Sequence, residues 1–252
     1  MAIQVQGLRK TFDTVTAVDG ISFTVHPGEI FGLLGPNGAG KTTTISCCSG
    51  LLTPSAGSVK ICGRDLLQEG RTVLRGVGVV PQELALYREL SATENLFYWG
   101  GVAEVPRAEL KRRVPAMLEQ VGLADRAREP VHRFSGGMLR RLNLAAGLVH
   151  DPKVLLLDEP TVGIDPQSRV RVLEIVRARA AAGVSVLYTS HYMEEAEQLC
   201  HRFAIIDHGR VLSEGTLDEL LVKAGEVIRR ESVPAPSLER LFLHLTGREM
   251  RE

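Results

Sequence analysis

The chain has 252 residues, 44% of them hydrophobic and 24% charged, enough for one large α/β domain with a packed core and incompatible with wholesale disorder. Lys plus Arg and Asp plus Glu each number 30, so the formal net charge is zero and no nucleic-acid partner is expected on global electrostatic grounds. No apolar run approaches the roughly 20 residues of a membrane-spanning helix. The opening MAIQVQGLRK lacks a signal-peptide apolar segment, and Cys47, Cys48, Cys62 and Cys200 show neither metal-ligand nor disulfide spacing; buried, reduced thiols in a soluble intracellular chain are expected.

In chain order, residues 2–34 alternate short β-rich runs with turns: 3–5, 21–25 and 30–34, with Pro27-Gly28 turning the chain before the last. A glycine-rich loop opens a helix from 41 to about 50. Residues 58–61 read as a strand, followed by a polar helix and the strand 77–80. From 84 to 150 helical periodicity takes over. Ser91 with Glu94 forms a capping box for a helix carrying Phe97, Tyr98 and Trp99. A helix over 107–121 lines up Leu110, Val114, Met117, Leu118 and Val121, and one from Gly136 spaces Leu139, Leu142, Ala146 and Val149.

The α/β alternation resumes at 154–157, a continuous apolar run of the kind buried in a parallel sheet. Asp165 and Pro166 cap a helix expected to turn Val170, Leu173, Val176 and Ala180 inward. Residues 185–189 read as a strand, 193–200 as a short helix, and 203–207 and 210–213 as strands around His208-Gly209. From Thr216 short helices are joined by the polar link 233–236. The expected organisation is a nucleotide-binding core over 1–82, a helical insert over 83–152, the second part of the core over 153–215 and a helical tail over 216–252.

Gly35-Pro36-Asn37-Gly38-Ala39-Gly40-Lys41-Thr42 fits G-x-x-x-x-G-K-[ST], between an expected strand and helix. The glycines let backbone N–H groups turn inward around a phosphate, Lys41 offers a positive charge, Thr42 a hydroxyl for Mg²⁺, and the helix start its partial charge. The nucleotide-binding set thus runs from Gly35 to Thr43. The apolar run 154–157 ends in Asp158 and Glu159, at the strand end where ligands bind in such sheets. Asp158 suits the Mg²⁺ and Glu159 is the candidate general base. Ser135-Gly136-Gly137 admits two readings: an N-cap with a tight turn into the helix, or a second phosphate site at a helix start.

Phe134-Ser135-Gly136-Gly137-Met138, followed by Val154-Leu155-Leu156-Leu157-Asp158-Glu159-Pro160, resembles the signature motif and Walker B strand of ABC transporter nucleotide-binding domains. Further motifs follow in the family's order: Gln82 matches the Q-loop, Gly163-Ile164-Asp165 the D-loop, His191 the switch histidine and Phe12 the adenine-stacking aromatic. The resemblance covers residues 2–220. It implies an α/β P-loop NTPase core of ABC-ATPase type with a β-rich N-terminal subdomain and an inserted helical subdomain. It also implies ATP hydrolysis with Mg²⁺, by two domains that sandwich two ATP molecules head to tail as a homodimer or heterodimer.

On that resemblance Ser135, Gly136 and Gly137 act on the opposed domain's nucleotide, and Asp165 of the D-loop joins the nucleotide-binding set. Lys41, Glu159, His191 and Gln82 serve catalysis, and Gln82 also joins Thr42 and Asp158 at the Mg²⁺. Each residue has a plainer reading: Gln82 a loop amide, Asp165 an N-cap, His191 a structural histidine, Phe12 a core aromatic. Met138 stands where the family often has Gln, the D-loop lacks the common Ala-Leu, and the adenine aromatic is often Tyr; none of these removes a catalytic group. Val162 to Arg169, Ser190 to Glu197 and the tail Ser237 to Arg248 are similar to type-two exporters. That subclass implies a cytoplasmic chain, peripheral on the membrane through a separate permease; a soluble non-transport ATPase is the alternative. Phe97-Tyr98-Trp99 is a candidate permease-docking patch or else packs inside the insert.

Overall fold

The chain opens with a long hairpin, β1 (Ile3–Phe12) and β2 (Val15–Val25), longer than the short runs expected because three irregularities in register let it twist without breaking. Then come β3 (Ile30–Leu34), α1 (Lys41–Cys48), β4 (Ala56–Ile61), β5 (Arg64–Asp65), α2 (Leu66–Leu74) and β6 (Val77–Val80). The helices α3 (Ala92–Val102), α4 (Arg107–Gln120) and α5 (Gly136–Leu148) follow in succession. The remainder alternates: β7 (Val154–Asp158), α6 (Pro166–Ala181), β8 (Ser185–Ser190), α7 (Met193–Leu199), β9 (Arg202–Asp207), β10 (Arg210–Gly215), α8 (Leu217–Ile228) and α9 (Leu238–Thr246). This computed structural model describes residues 1–228 and 238–246. The expected link 233–236 and the last residues of the exporter-like tail lie outside the described residues.

Two sheets result. Strands β2-β1-β4-β5 form an antiparallel sheet, and β10-β9-β3-β8-β7-β6 a second in which all neighbours but β9 and β10 run parallel. The apolar run of β7 is covered on both faces. Leu155 and Leu157 pack with Val186 and Tyr188 against α5 and α6, while Leu156 and Leu187 pack with Phe31, Leu33 and α1's Ile45 toward the antiparallel sheet. Each such fully buried side chain contributes about 1.5–3 kcal/mol. Helix α1, with the phosphate-binding loop before it, is therefore clamped between the two sheets. A third cluster joins α7, α8 and α9 to β9 through Met193, Phe203, Leu220, Leu241 and Phe242.

Between β6 and β7 the capping box forms as expected: Ser91 N–H donates to Glu94 Oε2 at 2.8 Å and Glu94 N–H to Ser91 Oγ at 3.2 Å. Two expectations need correction, at Val170 and Cys62, and one open alternative, at Phe97-Tyr98-Trp99, is decided ring by ring. Val170 is 55% exposed, because the inward stripe of α6 is Val172, Leu173, Val176 and Ala180, and Val170 lies about 200° round the helix from Val172. Phe97 and Trp99 pack against the insert's core, and the Trp99 indole N–H donates to Ala85 O at 2.7 Å, so of the three aromatics only Tyr98 is exposed. Cys62 is exposed, on a turn with φ 50°, whereas Cys47 and Cys48 are buried as expected, and burial pushes the Cys48 thiol well up.

Gly78 on β6 shows how closely the insert's last helix is seated. A Cβ there would fall 2.2 Å from Gly147 O of α5, 2.9 Å from Pro152 Cγ and 3.0 Å from Leu155 Cδ1. Gly78→Ala is therefore expected to lower unfolding free energy by about 1–3 kcal/mol, read as a lower denaturation midpoint at unchanged slope.

Candidate active site

The parallel strands β3, β8 and β7 run out at one level: Leu34 is paired with Ser190 and Asp158 with Thr189. The loop leaving β3 consequently lies beside the residues that follow β7 and β8. That loop has no space for side chains at two points. A Cβ on Gly35 would meet Ile206 O at 2.2 Å, and one on Gly40, whose φ of 103° itself favours glycine, would meet Ala17 O at 2.6 Å.

Lys41 opens α1 and is only 4% exposed. Its ammonium donates to Gly35 O at 2.7 Å and Pro36 O at 3.0 Å, and pairs with Glu159 Oε1 at 3.0 Å. Glu159, 5% exposed, follows β7 in a left-handed conformation (φ 44°), which costs about 1–3 kcal/mol for a residue with a Cβ. Its N–H donates to Thr189 Oγ1 at 3.0 Å, and His191 Nδ1 lies 3.1 Å from its Oε2. In the tautomer with Nδ1 protonated, the ring donates to this carboxylate. Thr189 Oγ1 in turn donates to Asp158 Oδ1 at 2.7 Å. Burial raises the Asp158 carboxyl pKa, against hydrogen bonds to Thr189 and Thr42 that lower it. An ionised oxygen ligand with a hydroxyl beside it suits a hard cation such as Mg²⁺.

A cleft of about 410 Å³ opens in front of the loop. It is lined by Asn37, Gly38, Gly40, Lys41, Thr42 and Thr43 on one side and by Ala17, Gln82 and Glu159 on the other. Of the expected residues, Gly35 and Pro36 frame the loop through carbonyls on Lys41, Ala39 is buried behind it, Asp158 sits next to Thr42, and His191 reaches the cleft through Glu159. Phe12 is not among the lining residues. It sits half-exposed at the tip of the β1–β2 hairpin, with the Lys10 ammonium 5.0 Å from its ring centroid, while Ala17 of the same hairpin faces the cleft.

Ser135, Gly136, Gly137 and Asp165 form a separate cluster. Ser135 Oγ accepts Met138 N–H at 3.3 Å and Asp165 Oδ1 accepts Ser168 N–H at 2.9 Å, so both cap helices as expected. A Cβ on Gly137 would meet Ser168 Oγ at 2.0 Å and Asp165 Oδ2 at 3.2 Å, which shows how tightly the starts of α5 and α6 abut. Three contributors were not anticipated. Thr189 connects Asp158 to Glu159; Arg140 donates to Gln82 O; Asn143 donates to Pro81 O at 3.3 Å and accepts Ala85 N–H at 3.0 Å. The sequence signal for Thr189 was a hydroxyl at the end of an apolar strand, two residues before His191.

A buried lysine at a helix start after a glycine loop, facing two carboxylates at the end of the next strand but one, defines a P-loop nucleoside triphosphatase. Residues 18–162 match the ABC transporter family, and the chain belongs to it. It is similar to the linearmycin resistance ATP-binding protein LnrL of Bacillus subtilis, 48% identical over 88% of this chain and 72% of that one. It is also similar to the Nod factor export ATP-binding protein I of Ralstonia nicotianae, 42% identical over 98% of this chain and 77% of that one. A solved structure of an ATP-binding subunit of an ABC transporter superposes with a TM-score of 0.85 at 30% identity, covering 98% of this chain and all of that one. The chain is thus an ATP-hydrolysing subunit that energises an ABC transporter.

Thr189→Val keeps shape but leaves the buried Glu159 N–H without its acceptor. Unfolding free energy is expected to fall by about 1–3 kcal/mol, measured by denaturant titration, with slower ATP turnover in the folded protein.

Proposed function

We propose that this subunit drives export through a separate membrane permease, acting as an ATP-sandwiched pair of nucleotide-binding domains on the cytoplasmic face of the membrane. The observation that carries the hydrolytic reading is Glu159, held 3.0 Å from the Lys41 ammonium and 3.1 Å from His191 beside the phosphate-binding loop. Export is supported by relatives whose names are those of resistance and export ATP-binding proteins. Attachment through a separate permease fits the finding that no helix among the described residues is long and apolar enough to cross a membrane.

On this reading the backbone N–H groups from Gly35 to Thr43 and the Lys41 ammonium hold the phosphates. Thr42, Gln82 and Asp158 would hold Mg²⁺, whose charge would offset that of the phosphate oxygens. Glu159 accepts the proton of the attacking water and His191 keeps that carboxylate aimed. Phe12 supports the adenine from the hairpin tip. Ser135, Gly136, Gly137 and Asp165 are not among the residues that line their own chain's cleft, which suits action on the nucleotide of an opposed domain, in a homodimer or a heterodimer. The core is divided at 82 and 153 by the insert, with the tail from 216. The permease contacts the insert and the Q-loop, where Tyr87 and Tyr98 stand exposed with hydroxyls 2.8 Å apart.

Lys41→Ala is expected to lower ATPase kcat/KM at least about a hundredfold and to weaken ATP binding in a filter or fluorescence assay. Normal turnover by that variant rules out the assigned site. Glu159→Gln should still bind MgATP while turning it over about 10²–10⁴-fold more slowly. Unhydrolysed ATP should then hold two chains together by mass action, giving a dimer by size exclusion with light scattering in MgATP and a monomer without it. Adding Ser135→Arg should abolish that dimer. A Glu159→Gln protein that stays monomeric at saturating MgATP counts against the sandwich.

A further inference from the structure

We propose that Glu195 is a positioning residue for hydrolysis, fixing the loop that carries His191 and tying it to the start of helix α6; this rests on the reading of Glu159 and His191 above. Glu195 lies in the first turn of α7, outside the cleft, with its side chain 3% exposed. One carboxyl oxygen, Oε2, collects three hydroxyl donors: Tyr188 at 2.5 Å, Thr161 at 2.8 Å and Ser190 at 3.3 Å. Each donor adjoins a group already placed in the site. Thr161 is two residues past Glu159, Tyr188 immediately precedes Thr189, and Ser190 immediately precedes His191. Ser190 Oγ also accepts Tyr192 N–H at 2.9 Å, so both peptide neighbours of His191 are held from the same carboxyl.

The second oxygen faces α6. Glu195 Oε1 lies 3.6 Å from Arg169 Nε, too far for a hydrogen bond, and both atoms are buried without a hydrogen-bond partner. The Arg169 guanidinium instead stacks 5.0 Å from the Tyr192 ring centroid, and that ring lies 4.1 Å from the ring of His191. Arg169 is one helical turn past Asp165, whose carbonyl accepts the Arg169 N–H at 3.0 Å. A small shift of α6 therefore has a direct path to the histidine: Arg169 to Tyr192 by stacking, and Arg169 to Ser190 through Glu195. Burial and the nearby Glu195 charge push the Tyr188 pKa well above its ordinary value, so its hydroxyl remains a donor throughout the working range. A buried carboxyl beside a cation is a weak source of net stability, and what this one fixes is geometry.

The test compares steady-state MgATP hydrolysis and MgATP affinity of the full chain with those of Glu195→Gln, Tyr188→Phe and His191→Ala variants. Glu195→Gln keeps size and loses the charge. It is expected to lower kcat tenfold or more while leaving ATP affinity and KM within twofold. Tyr188→Phe removes the shortest donor, should lower kcat several-fold with the same split, and decides the question if Glu195→Gln does not fold. Because Glu195 acts through His191, the Glu195→Gln/His191→Ala double variant should be no slower than His191→Ala alone, whereas mere loss of structure would multiply the two defects. Native kcat in Glu195→Gln, multiplied defects, or affinity lost in step with kcat would overturn the proposal. A His191→Ala protein turning over at the native rate would overturn the reading beneath it as well.

Discussion

The common level at which β3, β7 and β8 end is the constraint from which the rest of the molecule follows. The pairings Leu34 with Ser190 and Asp158 with Thr189 are set by backbone hydrogen bonds, and the side chains between them are buried on both faces. A one-residue slip of β7 would send Leu155 and Leu157 to the face now filled by Leu156, and would move Asp158 and Glu159 out of reach of Thr189. Chemistry at the strand ends is therefore only as mobile as the core beneath it. The polar residues gathered there are themselves buried, so each needs an internal partner. Lys41 has two carbonyls and Glu159, Glu159 has His191 and Thr189, and Asp158 has Thr189 and Thr42.

The helical insert shares a continuous apolar cluster with the core through α5, and polar contacts beside that cluster reach the cleft. Arg140 and Asn143 of α5 hold the backbone around Gln82, while Trp99 and Asn95 of α3 hold Ala85 and Tyr87 from the other side. The Gln82 segment thus has one flank on the insert and its own side chain at the cleft. The abutting starts of α5 and α6 give a second link, from Gly137 to Asp165, along α6 to Arg169, and through Glu195 to Thr161 beyond the strand end. A displacement of the insert therefore has two polar routes to the cleft beside the apolar contact.

What could be read from the sequence was what is local in it. The glycine loop with Lys41, the strand ending in Asp158 and Glu159, and the caps Ser91, Ser135 and Asp165 each depend on residues within a few positions, and so are visible as patterns. Thr189 was not visible because its partner Asp158 is 31 residues away and a threonine in a strand is ordinary. Val170 was misplaced because a helix with apolar residues on more than one side does not declare which stripe meets the neighbouring helix. The Phe97-Tyr98-Trp99 run likewise cannot show which ring turns inward; that is decided by Ala85 O, fourteen residues earlier, accepting the indole N–H.

The pairing of Lys41 with Glu159 also bears on how nucleotide enters. All three ammonium protons are engaged, by Gly35 O, Pro36 O and Glu159 Oε1. On the proposed function an arriving phosphate would exchange with an existing partner rather than meet a free charge, and its net gain would be the difference between two buried electrostatic contacts. The carbonyls belong to the loop's own frame, so on the proposed function Glu159 is the partner that yields. Released from Lys41, its carboxyl retains His191 as its remaining side-chain contact. On the proposed function, phosphate binding and the aiming of Glu159 are then one event, with the charge that holds the carboxylate in the resting cleft becoming the charge that would hold the substrate.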